Sequence, residues 1–394
     1  MSKIKIVIGA GWGDEGKGLM TDALASFFNG DCTVVRFNGG AQAGHTVVTP
    51  QGQRHVFGHV GAGTFMGAKT FLSKFFIINP LLAMKEINQL NTVLKHPIQV
   101  HPEAIVTTPY DMILNHLVTQ KRGWKGSCGV GINETVTRSK ERFKIKASNL
   151  SDMVYVKEQM QLIRLLWLPE RLNNLGITLT LKQKLIFENK ELINNWYRDV
   201  KLFSKAIVLS KHIKGNLIFE GAQGLMLDQT YGEFPYVTRS NTGLCNVVQI
   251  LEEMKQDKFE VIYMTRAYAT RHGAGPFPNE TLEKPYPGIV DLTNVPNEYQ
   301  GDMRFGYLDL DLLNNAIRTD LNYAYAKGMQ PEIRLGVTCL DQIGNKITFV
   351  NNGELQKTTV STFLNIIENK IGASLILGHG PTRESLSISE LTAR

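Results

Sequence analysis

Ile4, Ile6 and Ile8 stand in a β-branched run that breaks at Gly9, and the apolar pattern that follows, from Leu19 to Phe28, has helical spacing and closes on Asn29-Gly30. Thr33-Val34-Val35-Arg36-Phe37 then reads as a second strand. Strand, helix and strand within forty residues form the βαβ unit of an α/β protein with a large, mostly parallel central sheet. The runs Leu217 to Glu220, Val261 to Arg266, Ile333 to Thr338 and Leu375 to Gly378 predict further buried strands, each ending in glycine or polar residues. Open α/β sheets bind ligands at such carboxyl ends. Between about 150 and 215 the period changes. Val156, Met160, Ile163 and Trp167 fall at helical spacing, Leu162, Leu165 and Leu166 widen the apolar face, and Pro169 is expected to interrupt it. Leu192, Ile193, Trp196 and Tyr197 continue the pattern, so the segment reads as a helical insertion packed on the sheet.

The chain has 394 residues, which at about 150 per domain allows one large or two ordinary domains. With no repeat, low-complexity tract or Pro/Ser-rich linker, the reading is one elaborated domain over 1–394. A net charge of +7 suits an anionic small ligand. Lys205, Lys211 and Lys214 lack interleaved aromatics, so they read as a solvated face and no nucleic-acid partner is expected. No apolar run approaches the roughly 20 residues of a membrane span, and the N-terminus carries no cleavage pattern; the expected location is the cytoplasm. Cys32, Cys128, Cys245 and Cys339 lie about a hundred positions apart, with neither zinc-site nor disulfide spacing. His55 and His59, near an apolar stretch, read as structural.

Chemistry gathers in two glycine loops. Gly11-Trp12-Gly13-Asp14-Glu15-Gly16-Lys17-Gly18 fits the phosphate-loop pattern up to its last position. Between a strand and a helix, such a loop aims backbone N–H groups and the helix N-terminus at phosphate oxygens, and Lys17 neutralises them. Gly18 replaces the Ser/Thr that normally holds Mg²⁺, and an acid stands inside the loop instead. A carboxylate facing polyphosphate is repulsive unless it ligates a metal or serves as a base, and Asp14 suits both roles. The plainer alternative is a glycine turn with Asp14 as helix cap. The second loop, Gly39-Gly40-Ala41-Gln42-Ala43-Gly44-His45-Thr46, adds a histidine suited to act as an acid or phosphate contact.

These two loops are followed in order by Phe219-Glu220-Gly221-Ala222-Gln223-Gly224, Phe234-Pro235-Tyr236-Val237-Thr238 and Thr270-Arg271-His272-Gly273-Ala274-Gly275-Pro276-Phe277-Pro278. Together with Gly306-Tyr307-Leu308-Asp309 and Gly378-His379-Gly380-Pro381-Thr382-Arg383, they resemble the adenylosuccinate synthetase family from residue 9 to residue 383. The resemblance implies a GTP- and Mg²⁺-dependent ligation of L-aspartate to IMP through a 6-phosphoryl intermediate. It makes Asp14 the base and, with the Gly44 carbonyl, a metal ligand. Lys17 becomes the phosphate lysine, and His45 the donor to the transferring phosphoryl group. Gly13, Glu15, Gly16, Gly18, Gly44 and Thr46 join the GTP contacts. Gln223 would bond the purine 6-oxygen region, and Thr238 the IMP phosphate. Arg138 matches an arginine lent to the neighbouring subunit's IMP phosphate, which implies a homodimer; without that role it is a solvated arginine.

Several positions depart from the family pattern. Gln42 replaces an asparagine that contacts IMP, and Cys128 a threonine with the same role. The aspartate loop, Gln300-Gly301-Asp302-Met303-Arg304, carries one arginine where a run is usual, so Gly301 and Arg304 hold aspartate alone unless Arg271 or Arg239 contributes. Asp341 can accept from guanine N1 and N2, but the lysine expected nearby is Cys339; with Gly378 and Gly380 it forms the expected base site, favouring GTP over ATP. The departures leave two close alternatives: a phage-type homologue that uses dGMP, against which Asp14 argues, and a nucleotide-binding paralogue without ligase activity. A nucleotide-dependent switch protein is disfavoured by Gly18 and by the lack of an Asn-Lys-x-Asp segment.

Overall fold

The computed structural model describes residues 3–123, 129–290 and 301–387. Nine strands form its central sheet: β1 (Ile4–Gly9), β2 (Thr33–Arg36), β3 (Lys69–Leu72), β4 (Ile98–Val100), β5 (Ile207–Leu209), β6 (Leu217–Gly224), β7 (Glu260–Arg266), β8 (Glu332–Thr338) and β9 (Ser374–Leu377). Their order is β9-β8-β7-β1-β6-β2-β3-β4-β5, and every neighbouring pair is parallel. The sheet is covered on both faces, which is why its central strands read as unbroken apolar runs. Strand alternation divides the packing. Ile6, Ile8, Val35, Phe219, Tyr263 and Leu335 pack on one side, against Leu244, Val247 and Leu313 of two helices. Val7, Val34, Ile218 and Ile262 pack on the other, against Met20 and Leu24 of helix α1 (Lys17–Phe27).

The predicted βαβ unit is present, but its two strands are not partners. β6 lies between β1 and β2, pairing Phe219 with both Ile6 and Val35. The chain runs outward from β1 to β5, returns to place β6 beside β1, and then builds β7, β8 and β9 on the far side. Strand order thus reverses around β1, and the cleft described below opens there, at the carboxyl ends.

Helices Met153–Leu162, Leu181–Phe187 and Lys190–Ala206 occupy most of the expected insertion, and β5 closes it at the sheet edge. Val156, Met160, Ile163 and Trp167 are buried as their spacing predicts. Leu162, Leu165 and Leu166 do not widen that face and are exposed. Pro169 does not stop the helix either. A π-helical stretch, Ile163–Trp167, leads directly into Leu168–Asn174 with the proline in its first turn, where a missing N–H costs little. Among the described residues, no helix is long and apolar enough to cross a membrane. His55 and His59 both lie beside the Glu86 carboxylate, at 3.8 and 3.7 Å, and His59 is buried, as expected of structural histidines.

Candidate functional site

β1 ends at Gly9, and the loop turns into α1 through Gly16, whose φ of 91° favours glycine. Its backbone is pinned from two neighbouring strands: Arg266 Nε donates to the Asp14 carbonyl, and Thr338 Oγ1 donates to the Glu15 carbonyl at 3.2 Å. Lys17 is buried, with Nζ donating to Gly13 O at 2.8 Å and pairing with Glu15 Oε2 at 3.1 Å. Glu15 Oε1 accepts the Gly13 N–H at 2.7 Å. The Glu15 side chain therefore does not face a phosphate site, contrary to expectation. It is tucked under the loop against Lys17, where both charges are satisfied; on the cleft side it would repel polyphosphate. Gly18 also has a steric reason. A Cβ there would lie 3.0 Å from both His45 Cβ and Thr46 O, so the hydroxyl residue usual at this position has no room.

His45 opens the hairpin strand His45–Val48 and leans on a buried carboxylate at the heart of the sheet. Its Nδ1 lies 2.6 Å from Glu220 Oε1, while Arg36 Nη1 and the Ala62 N–H reach Glu220 Oε2 at 3.4 and 3.1 Å. Arg36 and Glu220 are fully buried, and His45 nearly so. Burial pushes the His45 imidazole down to about 4, with Arg36 adding to the fall and Glu220 opposing it. Burial pushes the Glu220 carboxyl the other way, but His45 and Arg36 together hold it below the ordinary range. The state these groups favour is an ionised Glu220 between a fixed cation and a neutral imidazole that donates Nδ1–H. His45 Nε2 is buried without a partner, and His45 lines the cleft, so the free nitrogen is the one left for a ligand.

A cleft of about 630 Å³ opens beside the loop. Gly13, Asp14, Gln42, Gly44, Gln223 and Thr238 all line it, together with His45. Asp14 is the only carboxylate among the described residues that line it, with Oδ2 4.0 Å from His272 Nε2. Gln223, the last residue but one of β6, has φ 63°, a left-handed conformation unusual for a residue with a side chain and of the kind found at binding sites. Gly13 gives it room: a Cβ there would sit 3.3 Å from Gln223 Cα. Asp14 and Gly44, whose carbonyl the resemblance makes a metal ligand, border the same space. One carboxylate plus a carbonyl suits Mg²⁺, which is held by few protein oxygens and completed by substrate phosphates. Among the described residues, no cluster of three or more His, Cys, Asp or Glu could hold a metal by itself.

Other expected residues lie elsewhere. Asp341 is exposed on the turn after β8, where the Leu340 N–H donates to Gly378 O at 3.1 Å. Asp341, Gly378 and Gly380 thus share a rim beyond β8 and β9, on the side of the loop held by Thr338 and away from the cleft. Thr46 sits within the hairpin strand. Gly301 (φ 74°) and Arg304 do not line the cleft, and Arg304 is already engaged. Its Nε donates to Glu280 at 2.7 Å, its Nη2 pairs with the same carboxylate, and its Nη1 donates to the Gly273 and Gly275 carbonyls at 3.2 and 2.8 Å. It is therefore not an open aspartate clamp in this conformation. Cys128 lies outside the described residues.

Arg138 is the clearest correction: it is neither lent to a neighbour nor solvated. It is fully buried, forked onto Asp111 at 2.9 and 2.8 Å, and donates to Phe143 O at 2.5 Å and Val106 O at 2.8 Å. With Nε, Nη1 and Nη2 all spent inside its own fold, it cannot reach a phosphate. Replacing Arg138 by alanine is expected to strip the buried Asp111 of its partner and destabilise the protein by about 3–5 kcal/mol. Denaturant unfolding reads the loss. In the fraction that folds, nucleotide affinity should be unchanged, and a selective loss of affinity at unchanged stability would restore the binding role.

Sequence reading gave no role to Glu220, Arg36 or His272. For Glu220 a signal existed: a carboxylate inside the apolar run Leu217-Ile218-Phe219 must be paired if the strand is buried.

A parallel sheet bearing a phosphate loop at its strand reversal, beside a cleft with an acid, a paired histidine and a strained glutamine, defines a nucleotide-dependent enzyme. The family model for adenylosuccinate synthetase matches residues 6–326. Adenylosuccinate synthetase of Borrelia duttonii is 32% identical over 342 residues, covering 81% of this chain and 75% of its own. That of Clostridium botulinum strain Eklund 17B is 33% identical over 335 residues, covering 79% and 74%. In fold, the fully ligated Plasmodium falciparum adenylosuccinate synthetase superposes with a TM-score of 0.75 at 21% identity, over 98% of this chain and 99% of its own. The cyanophage S-2L succinoaminodeoxyadenylate synthetase, bound to dGMP and dATP, gives 0.58 at 13% identity, over 98% and 95%. The chain belongs to the adenylosuccinate synthetase family, and is thereby a ligase of purine nucleotide metabolism.

Proposed function

We propose that the enzyme joins L-aspartate to IMP at the expense of GTP, through a 6-phosphoryl intermediate. The observation that carries this reading is the convergence of Asp14, His45 and Gln223 on one cleft at the mouth of the phosphate loop. Asp14 takes the N1 proton of the purine, which drives the 6-oxygen toward the γ-phosphoryl group. Gln223 bonds the 6-position and, as a neutral amide, can donate or accept as charge moves. His45 meets the transferring group through Nε2. Beside that negative charge the neutral imidazole takes its second proton from solvent and becomes a donor, with Glu220 holding the other nitrogen. Lys17 exchanges Glu15 for phosphate oxygens, supported by the Gly13, Gly16 and Gly18 backbone, and Thr46 completes that wall. Mg²⁺, held by Asp14 and the Gly44 carbonyl, would neutralise phosphate charge. Asp341, with Gly378 and Gly380, selects guanine. L-Aspartate is held near Gly301 and Arg304, which must first release Glu280. Gln42 and Thr238 face the IMP phosphate, with Cys128 as a further contact. The functional unit is a single domain over 1–394 acting as a homodimer in the cytoplasm on small molecules, without nucleic acid or membrane.

The phage-type dGMP reading is the less supported, since Asp14 is present and lines the cleft. A paralogue without ligase activity draws its support only from the engaged Arg304. Mass spectrometry of reactions with L-aspartate and Mg²⁺, in parallel with IMP or dGMP and with GTP or ATP, tests all three. The expected product is a succinyl adduct on IMP with GTP. An adduct on dGMP alone would move the enzyme to the phage type, and none in any tube, with nucleotide binding intact, would favour the inactive paralogue.

A further inference from the structure

We propose that Arg239 is the cation that holds the 5′-phosphate of the acceptor nucleotide, supplied by the same chain that carries Asp14 and Gln223. The inference rests on the reading that the cleft takes a purine nucleoside monophosphate. Among the described residues, four arginines line the cleft: Arg122, Arg171, Arg239 and Arg271. Arg171 is clamped by the buried Glu134, at 2.8 Å from Nε and 3.2 Å from Nη2. Arg271 donates to the carbonyls of Pro276 and Ala274 at 2.6 and 2.9 Å, and Arg122 also has an interaction within the chain. Arg239 differs. Its Nε is buried with no hydrogen-bond partner, and among the described residues no ion pair engages its guanidinium.

The surroundings of Arg239 are set for an anion. The hydroxyl of the next residue, Ser240, accepts the Gly39 N–H at 3.1 Å, which stitches this segment to the loop carrying Gln42. The Gln42 amide lies over the same Gly39, its Nε2 3.3 Å from where a Cβ would stand, and both its polar atoms are buried without partners. Thr238 lines the cleft immediately before Arg239. A guanidinium fork, an amide donor and a hydroxyl thus line one cleft, and among the described residues its one carboxylate, Asp14, belongs to the phosphate loop. Leaving a half-buried guanidinium and an amide unpaired is costly, and a tetrahedral dianion satisfies both. The position also resolves what the burial of Arg138 leaves open, namely which cation meets the nucleotide phosphate.

The test uses the full-length enzyme with Arg239→Gln and Arg239→Lys. Calorimetric binding is measured with IMP, dGMP and inosine, alongside initial rates with IMP and L-aspartate varied separately. Because Arg239 makes no internal bond, both variants should melt as the parent does. Arg239→Gln is expected to weaken IMP binding and raise its KM by roughly 10- to 100-fold, the range for losing a charged hydrogen-bond donor. Inosine affinity and the KM for aspartate should stay within about twofold, and lysine should recover part of the loss, a point charge replacing a fork. Unchanged IMP affinity would overturn the assignment. A rise confined to the aspartate KM would overturn it too, and give Arg239 to the dicarboxylate. If the parent binds neither IMP nor dGMP, the reading of the cleft itself fails, which the parent's own titration reveals before any variant is compared.

Discussion

Asp14→Asn is expected to lower kcat by about 10³-fold, within the range for removing a general base, while KM for IMP and GTP moves only a few-fold. An asparagine has the carboxylate's shape but cannot accept the purine proton. The exchange should leave the loop in place, because Arg266 grips the Asp14 carbonyl and not its side chain. The carboxylate stands in the cleft with the His272 imidazole 4.0 Å away, so no buried lysine or arginine loses its partner and the variant should melt close to the parent. A variant retaining more than about a tenth of the parental kcat would mean that the proton leaves by another route, and Asp14 would then be reduced to a metal ligand.

The strands that hold this site are legible because they are buried on both faces, so each appears as an apolar run ending at a glycine or a polar residue. Their order is not legible. Nothing local in Leu217–Gly224 says that it enters between β1 and β2, since that placement is decided by pairing with strands far away in the chain, Ile4–Gly9 and Thr33–Arg36. Toward the β5 edge of the sheet, Ile98–Val100 and Ile207–Leu209 have only three residues each and do not stand out from their surroundings. In the site, Asp14, Gln42, His45, Gln223 and Thr238 come together as their motifs imply. The partners of Arg138 and Arg304 were not legible for a common reason. An arginine in a sequence shows its charge but not its partner, and both turned out to be satisfied within their own chain, by Asp111 and Glu280. Arg239 is the converse case: its charge was visible, but its lack of a partner emerges only in three dimensions. Glu15 shows that a motif match does not fix side-chain direction. The loop brings its backbone to the site and turns its carboxylate under Lys17.

The second large effect is expected at Glu220, which touches no substrate and acts through His45. In the resting protein, burial and Arg36 favour the neutral imidazole, against the pull of Glu220. Glu220→Gln removes that pull, so the imidazolium needed beside the transferring phosphoryl group becomes harder to form. A loss of about 10²-fold in kcat at neutral pH is expected, at the lower end for a general acid, with KM for aspartate unaffected. A merely structural role would lower the amount of folded enzyme and leave its kcat and pH profile alone. Arg36 provides the stability readout. Without an anion it is a fully buried, unpaired cation, so Glu220→Ala should cost about 3–5 kcal/mol, and glutamine less because it still accepts a hydrogen bond. The pH dependence of stability separates the two partners. His45 titrates near 4 when folded, below the 6.5 of the free side chain, so on acidification the unfolded chain binds a proton that the folded one refuses. Its contribution is therefore present in full above pH 6.5 and is lost as the pH falls from there toward 4. His45→Asn should flatten the stability profile in that window, whereas Glu220→Gln, by lowering the imidazole further, should extend the loss to lower pH. If Glu220→Gln kept the parental kcat and pH–rate profile, His45 would be acting unaided, and the buried carboxylate would serve only to neutralise Arg36.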